Sequence, residues 1–235
     1  MRAVILAGGK GTRLRPFTAT LPKPLVPIGD RAVLEIVLQQ LSNCGVTHVT
    51  MAVSHLAHLL QAYFGNGEKW NLKIDYSLED QPLSTIAPLK LIPDLPENFF
   101  VMNGDVLTDL NLVELYENHR RNDADITVAT FRRDDKIDFG VLDTDPDNKI
   151  VGFREKPVYQ FNVSMGVYVL NRRILDIVPN DAPFGFDNLM YACIEQNRKA
   201  ICYPHDGFWL DIGRPDDYAQ AQENIDELLK LILPD

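Results

Sequence analysis

The apolar run Ala3-Val4-Ile5-Leu6 passes without a break into Ala7-Gly8-Gly9-Lys10-Gly11-Thr12-Arg13-Leu14, and no other feature restricts the fold so strongly. Such a run is long enough for a buried strand, and the glycine-rich loop leaving its end implies the first strand of a parallel sheet. Glycines at 8, 9 and 11 permit positive φ and close backbone approach, so consecutive N–H groups can converge on phosphate oxygens. Lys10, Arg13, Arg15 and Lys23 bring positive charge to the same segment. A polyphosphate is the ligand this combination suits. A bare Gly-Gly-x-Gly serves equally well as a surface turn, but Pro22-Lys23-Pro24-Leu25 and Pro27 continue the pattern and favour a site.

Two familiar phosphate loops are excluded. A Walker A loop ends in Gly-Lys-Ser/Thr, whereas Lys10 is followed by Gly11. A dinucleotide fingerprint needs a third glycine where Leu14 stands and a helix opening at once, which Pro16 discourages.

Alternation of strands and helices extends the reading. Val49–Val53, Lys73–Ser77, Phe99–Met102 and Asp125–Thr130 read as strands, and Val33–Leu41, His55–Tyr63 and Leu112–Arg120 as amphipathic helices. Beyond residue 131 the segments become extended and turn-rich, with helices returning at Asp187–Gln196 and from Pro215 onward. The expectation is one α/β domain over residues 1–235, its first half binding nucleotide and its second half completing the site. A formal charge of −10 speaks against nucleic acid or an anionic membrane as partner. Three dispersed cysteines offer no zinc ribbon or disulfide framework, and no signal or membrane segment is visible, so a cytoplasmic protein is expected.

Six blocks in order carry a resemblance: Leu6–Pro27, Asn103-Gly104-Asp105, Phe139-Gly140-Val141, Glu155-Lys156-Pro157, Met165-Gly166-Val167-Tyr168 and Trp209-Leu210-Asp211-Ile212-Gly213. Together they resemble the sugar-1-phosphate nucleotidylyltransferases, with the mannose- and heptose-1-phosphate guanylyltransferase-like branch nearest. The resemblance implies a Rossmann-like mixed, mostly parallel sheet flanked by helices. It also implies attack by a sugar 1-phosphate on the α-phosphorus of a nucleoside triphosphate, with release of pyrophosphate. Some members of that family carry a C-terminal β-helix domain, which is not expected within this chain.

On this footing Leu6, Ala7, Gly8, Gly9, Gly11, Thr12, Arg13 and Lys23 are expected to cradle the nucleotide, with Asn103 and Gly104 beside it. Arg13 and Lys23 would stabilise charge at the α-phosphate. Asp105, at the carboxyl end of an expected parallel strand, and Asp211 would hold Mg²⁺. Gly140, Glu155, Lys156 and Ser164 would bind the sugar phosphate, although Ser164 stands where many relatives have asparagine.

The base is to be read by Glu79-Asp80-Gln81-Pro82-Leu83-Ser84-Thr85-Ile86-Ala87. Here Ser84, Ile86 and Ala87 replace the usual Gly, Ala and Gly, so closeness of backbone to base is in question. Glu79 could accept from guanine N1–H and its 2-amino group, Gln81 could serve uracil or thymine, and Thr85 lies alongside. GTP with a manno-sugar is preferred over UTP, dTTP or CTP with another hexose. A glycosyltransferase would carry Asp-x-Asp where Asn103-Gly104-Asp105 stands, and a non-catalytic NDP-sugar sensor would not need the retained cations and carboxylates.

Other patterns are set aside. Asp143, Asp145 and Asp147 imitate a calcium loop but lack its glycine and its closing glutamate, and so read as a turn. His55 and His58 read as a helical surface pair, and Leu228–Leu233 as a helix that packs on the domain or caps a homodimer interface.

Overall fold

The computed structural model describes residues 1–9, 11–79, 81–223 and 225–233, so Lys10 and Asp80 of the segments above lie outside the described residues. The first strand, β1 (Arg2–Leu6), is followed by short 3₁₀ turns at Thr12–Leu14, Phe17–Ala19 and Lys23–Leu25, then by a small hairpin of β2 (Pro27–Ile28) and β3 (Arg31–Ala32). Next come α1 (Val33–Asn43), β4 (His48–Val53), α2 (Ala57–Phe64), β5 (Lys73–Leu78), β6 (Asn98–Asn103), β7 (Val106–Thr108) and α3 (Leu112–Asn122). The second half supplies β8 (Ile126–Lys136), β9 (Val141–Thr144), β10 (Ile150–Arg154), β11 (Val158–Asn171), α4 (Phe186–Glu195), β12 (Ala200–His205) and β13 (Trp209–Asp211). Helices α5 (Pro215–Glu223) and α6 (Ile225–Ile232) follow.

Seven strands form the central sheet in the order β12-β8-β11-β6-β1-β4-β5. All its pairings are parallel except those of β11, which runs antiparallel to both β6 and β8. The strand alternation distributes side chains between two cores. Ala3, Ile5, Met51, Val53, Phe100 and Met102 face α1, α2 and α3, while Val4, Ala52, Phe99 and Val101 face α4 and the 83–95 segment. Helix α1 is apolar around most of its circumference because it serves two cores: Leu34, Val37 and Leu38 point to the sheet. Val33 and Ile36 join Leu14, Ile28, Leu107, Ile212, Leu228 and Ile232 in a third core. The C-terminal apolar run therefore packs on the body of the protein through α6.

Strands β8 and β11 continue past the sheet as an arm, paired from Thr130–Ser164 out to Lys136–Val158. The register shifts between Ser164 and Tyr168, where Gly166 has φ +74° and a Cβ would stand 2.5 Å from Asn103 Nδ2. Only glycine fits there. Of the three aspartates read as a turn, Asp143 lies in β9, paired with Gly152 of β10, and the turn that follows is closed by Asp145, whose carboxylate accepts from the N–H groups of Asp147 and Lys149.

One buried polar network ties α3 to the sheet. His119, 1% exposed, donates from Nε2 to Asn98 Oδ1 and accepts at Nδ1 from the Thr127 hydroxyl, at 3.1 and 2.8 Å. Both partners suit a neutral imidazole. Burial and, after it, the nearby Arg173 charge push its pKa down from 6.5 to about 4. The unfolded chain therefore takes up a proton between these values that the folded one refuses. Stability associated with neutral His119 is full above pH 6.5 and is lost as pH falls towards 4. We expect wild type to lose about 2 kcal/mol more than His119→Gln between pH 7.5 and pH 5, from urea midpoints. A gap between the two proteins that does not change with pH would rule this out.

Candidate active site

At the carboxyl edge of β1 the chain turns away between β4 and β6, the parallel neighbours of β1. Ala7 N–H still donates to Ala52 O, and Gly104 N–H donates to Leu6 O. Gly8 sits where a Cβ would stand 3.1 Å from Glu79 Oε1 and 3.4 Å from Ser54 Cβ, so the loop and the Glu79 carboxyl are in close approach. Of the three loop glycines, Gly11 alone has positive φ, +58°. A Cβ there would press on Thr18 and on Lys23 Cβ at 3.0 and 3.2 Å, and the Thr18 hydroxyl donates to Gly11 O. The tight fold at Gly11 thus seats Lys23 beneath the loop, and buried Leu14 anchors the loop in the third core.

Lys23 lies between two carboxylates. Its ammonium contacts Asp105 directly and is 3.8 Å from Asp211 Oδ1. Asp105 follows β6 through Asn103 and Gly104, and Asp211 arrives on β13, which pairs antiparallel with β7 so that Asp211 faces Val106. A further bond, Ile212 N–H to Asp105 O at 3.0 Å, locks the two backbones together. Burial and then the Asp105 charge push the Asp211 carboxyl up, opposed by Lys23 and Arg13. Gly213 leaves room for this arrangement, since a Cβ there would stand 3.1 Å from Asp211 Oδ2 and 3.6 Å from the Arg13 guanidinium.

Arg13, Lys23, Asp105 and Gly213 border a cleft of about 590 Å³, and Asp211 lies outside its lining. Its lining contains Leu6, Ala7, Gly8, Gly9, Gly11, Thr12, Arg13, Lys23, Glu79, Thr85, Asn103, Gly104 and Asp105, all singled out from sequence. Gln81 is placed elsewhere: it is exposed and lines a separate groove with Tyr76, Leu78 and Asn180. Arg15 is exposed and outside the cleft lining. His55 is a further difference. Helix α2 starts at Ala57, after Leu56 in the left-handed region, so His55 precedes the helix and shares no helical face with His58. It lines the cleft beside Ser54. Its spacing from His58 concealed this, because periodicity cannot locate a helix start set by one left-handed residue.

The base-loop segment is fastened from behind. Ile86 and Ala87 N–H both donate to Phe184 O, and Phe184 N–H donates to Leu83 O. The Thr85 hydroxyl accepts from Phe186 N–H at 2.9 Å and so satisfies the first N–H of α4. Ile86, fully buried, points into the second core and away from the cleft. Ser84 has φ +69°, in the left-handed region that glycine adopts most readily. Glu79 accepts from Leu83 N–H at 3.1 Å, and burial raises its carboxyl above the usual range.

On the arm, Gly140 and Glu155 come together: a Cβ on Gly140 would stand 3.4 Å from Glu155 Oε2. Both are exposed, as is Lys156, which has φ +42°, and none of the three lines the cleft. Ser164 donates to the Tyr168 hydroxyl at 3.1 Å and accepts from Gly166 N–H. Burial raises the Tyr168 pKa, which the Ser164 hydrogen bond lowers and the Asp211 charge raises.

Comparison with known proteins places this geometry. Mannose-1-phosphate guanylyltransferase of Mycobacterium tuberculosis is 32% identical over 231 residues, covering 95% of this chain and 64% of that protein. Mannose-1-phosphate guanyltransferase of Emericella nidulans is 35% identical over 228 residues, covering 93% of this chain and 62% of that protein. The chain thus spans less than two thirds of the length of these relatives. The crystal structure of HddC from Yersinia pseudotuberculosis complexed with GMP-PN superimposes with a TM-score of 0.74 at 27% identity, covering 95% of this chain and 99% of that one. The family profile described as nucleotidyl transferase matches residues 2–227. With that match running through both halves of the cleft, the chain belongs to the nucleotidyl transferase family.

Proposed function

We propose that the chain transfers a guanylyl group from GTP to a manno-configured sugar 1-phosphate, mannose 1-phosphate being the leading choice, to give a GDP-sugar and pyrophosphate. The observation that carries this reading is the meeting of Arg13, Lys23, Asp105 and Asp211 at the Gly11 end of a cleft whose Gly8 end holds Glu79. A phosphate oxygen of the sugar phosphate forms the new bond to the α-phosphorus, and the bond from that phosphorus to the bridging oxygen of pyrophosphate breaks. No general base is required, since a phosphate monoester is already largely ionised at neutral pH. The loop N–H groups and the cations position the triphosphate and oppose charge that develops at the α-phosphate.

Asp105 and Asp211 are the residues that would hold Mg²⁺. The donor set fits: two carboxylates meet around Lys23 beside the cleft, and Mg²⁺ prefers one or two carboxylates with water and phosphate oxygens completing its shell. When bound, the ion neutralises phosphate charge and orients the triphosphate. Glu79 supports guanine because a carboxylate accepts from both N1–H and the 2-amino group, a pair that uracil and thymine lack. The position of Gln81 outside the cleft counts against the pyrimidine reading. The names of the two guanylyltransferase relatives, and of the HddC complex with GMP-PN, agree in direction. Gly140, Glu155, Lys156 and Ser164 are assigned to the sugar phosphate as the arm side of the site.

Two outcomes are expected. Asp105→Asn and Asp211→Asn each lower Mg²⁺-dependent pyrophosphate release by at least about 10³-fold while the circular dichroism spectrum stays that of wild type; near-normal turnover in both would remove the metal assignment. In a panel of GTP, ATP, UTP and dTTP against mannose 1-phosphate, GTP is used best. Glu79→Gln lowers kcat/KM for GTP by about 10–100-fold and leaves the other three within a few-fold. Preference for UTP or dTTP in the wild type would overturn the guanine reading.

A further inference from the structure

We propose that Lys23 is the resident counter-ion of the Asp105–Asp211 pair, so that a divalent cation reaches these carboxylates only by displacing its ammonium. The inference rests on the metal assignment above and adds to it an order of events within this chain.

The two carboxylates cannot relieve their repulsion by moving apart. Asp211 is tied to the strand beside Asp105 by the β7–β13 pairing, and the Ile212 N–H to Asp105 O bond fixes the backbones next to the side chains. Asp105 is withdrawn from water at 13% side-chain exposure and Asp211 is partly so at 37%, which strengthens the field around Asp105 in particular. Lys23 is the cation that stands between them, at 15% exposure, in contact with one and near the other. Its single charge leaves the trio with a net negative charge, which a divalent ion would cancel. Ammonium and metal claim the same oxygens, so occupancy by one excludes the other.

The backbone of Lys23 is fixed and its head is not. Pro22 and Pro24 flank it, Leu25 N–H donates to Pro22 O, Val26 N–H donates to Lys23 O, and its Cβ packs under Gly11. What remains free is the four-carbon stem, a flexible carrier for a compact charge. Because Lys23 and the glycine loop line the same cleft, an ammonium released from the aspartates stays within the region assigned to the triphosphate. Lys23 would then serve twice, first holding the carboxylates as a pair and afterwards neutralising phosphate.

The test needs no nucleotide and no turnover. Mn²⁺ is titrated into wild type, Lys23→Met and Lys23→Gln, and the free ion is followed by electron paramagnetic resonance. We expect both variants to bind Mn²⁺ at least tenfold more tightly than wild type, and Asp211→Asn added to Lys23→Met to abolish the gain. Should Lys23→Met fold only in the presence of Mn²⁺, the carboxylate pair lacks its counter-ion, as expected; should it fail to fold altogether, Lys23→Gln, with a polar head, decides. Equal Mn²⁺ affinity in wild type and the folded variants overturns the counter-ion role and leaves the proposed reaction standing. Failure of Mn²⁺ to bind to any of the proteins overturns the metal assignment as well.

Discussion

The antiparallel contact of Trp209–Asp211 with Val106–Thr108 is short, yet the site depends on it. It joins the end of the chain to the segment that follows the central strand β6, and so carries a carboxylate across more than a hundred positions of sequence. The third core makes this contact durable: Leu107, Leu210 and Ile212 from the paired strands are buried with Leu14 of the glycine loop and Leu228 of α6. Loop, carboxylates and C-terminal helices are consequently one packed unit. Apolar burial of this kind, a few kcal/mol per large side chain, is what holds like charges in proximity against their repulsion.

The architecture was largely legible because a parallel strand buried on both faces reads as an unbroken apolar run. Ile5 and Val4 face different cores, as do Phe100 and Phe99, so neither strand has a polar face. The C-terminal run Leu228–Leu233 left two readings open, since burial against one's own core and burial against another chain demand the same residues. The path of the arm was less accessible. Residues 132–136 and 158–162 pair with each other without a covering layer, so they carry exposed Arg, Asp and Lys beside exposed Phe161, and give no clean period.

The glycine loop and Asp105 follow β1 and β6, where the apolar runs before them point, whereas Asp211 comes to Asp105 from a remote strand that only the family resemblance indicates. Side-chain direction was not readable. Gln81 is two residues from Glu79, yet one lines the cleft and the other a separate groove. His55 reads as part of a helical surface pair, but Leu56 in the left-handed region delays α2 until Ala57 and leaves His55 lining the cleft. The altered base segment looked like a threat to nucleotide binding when judged by composition. In three dimensions Ile86 is turned into the core, away from the cleft, and Ser84 takes the left-handed backbone that glycine adopts most readily.

The fastening of that segment to Phe184-Gly185-Phe186 has a consequence for how such a loop can be altered. Its N–H groups end on Phe184, its hydroxyl at Thr85 completes the start of α4, and a Cβ on Gly185 would stand 3.0 Å from Ser84 Oγ. The stretch from Leu83 to Ala87 therefore has little independent conformation; half of its shape is stored a hundred residues downstream. A loop transplanted from a relative without its matching α4 entrance would arrive with unsatisfied backbone donors and a steric conflict at residue 185. Residues 83–87 and the entrance to α4 are in this sense one unit, and a change in either constrains what the other can become.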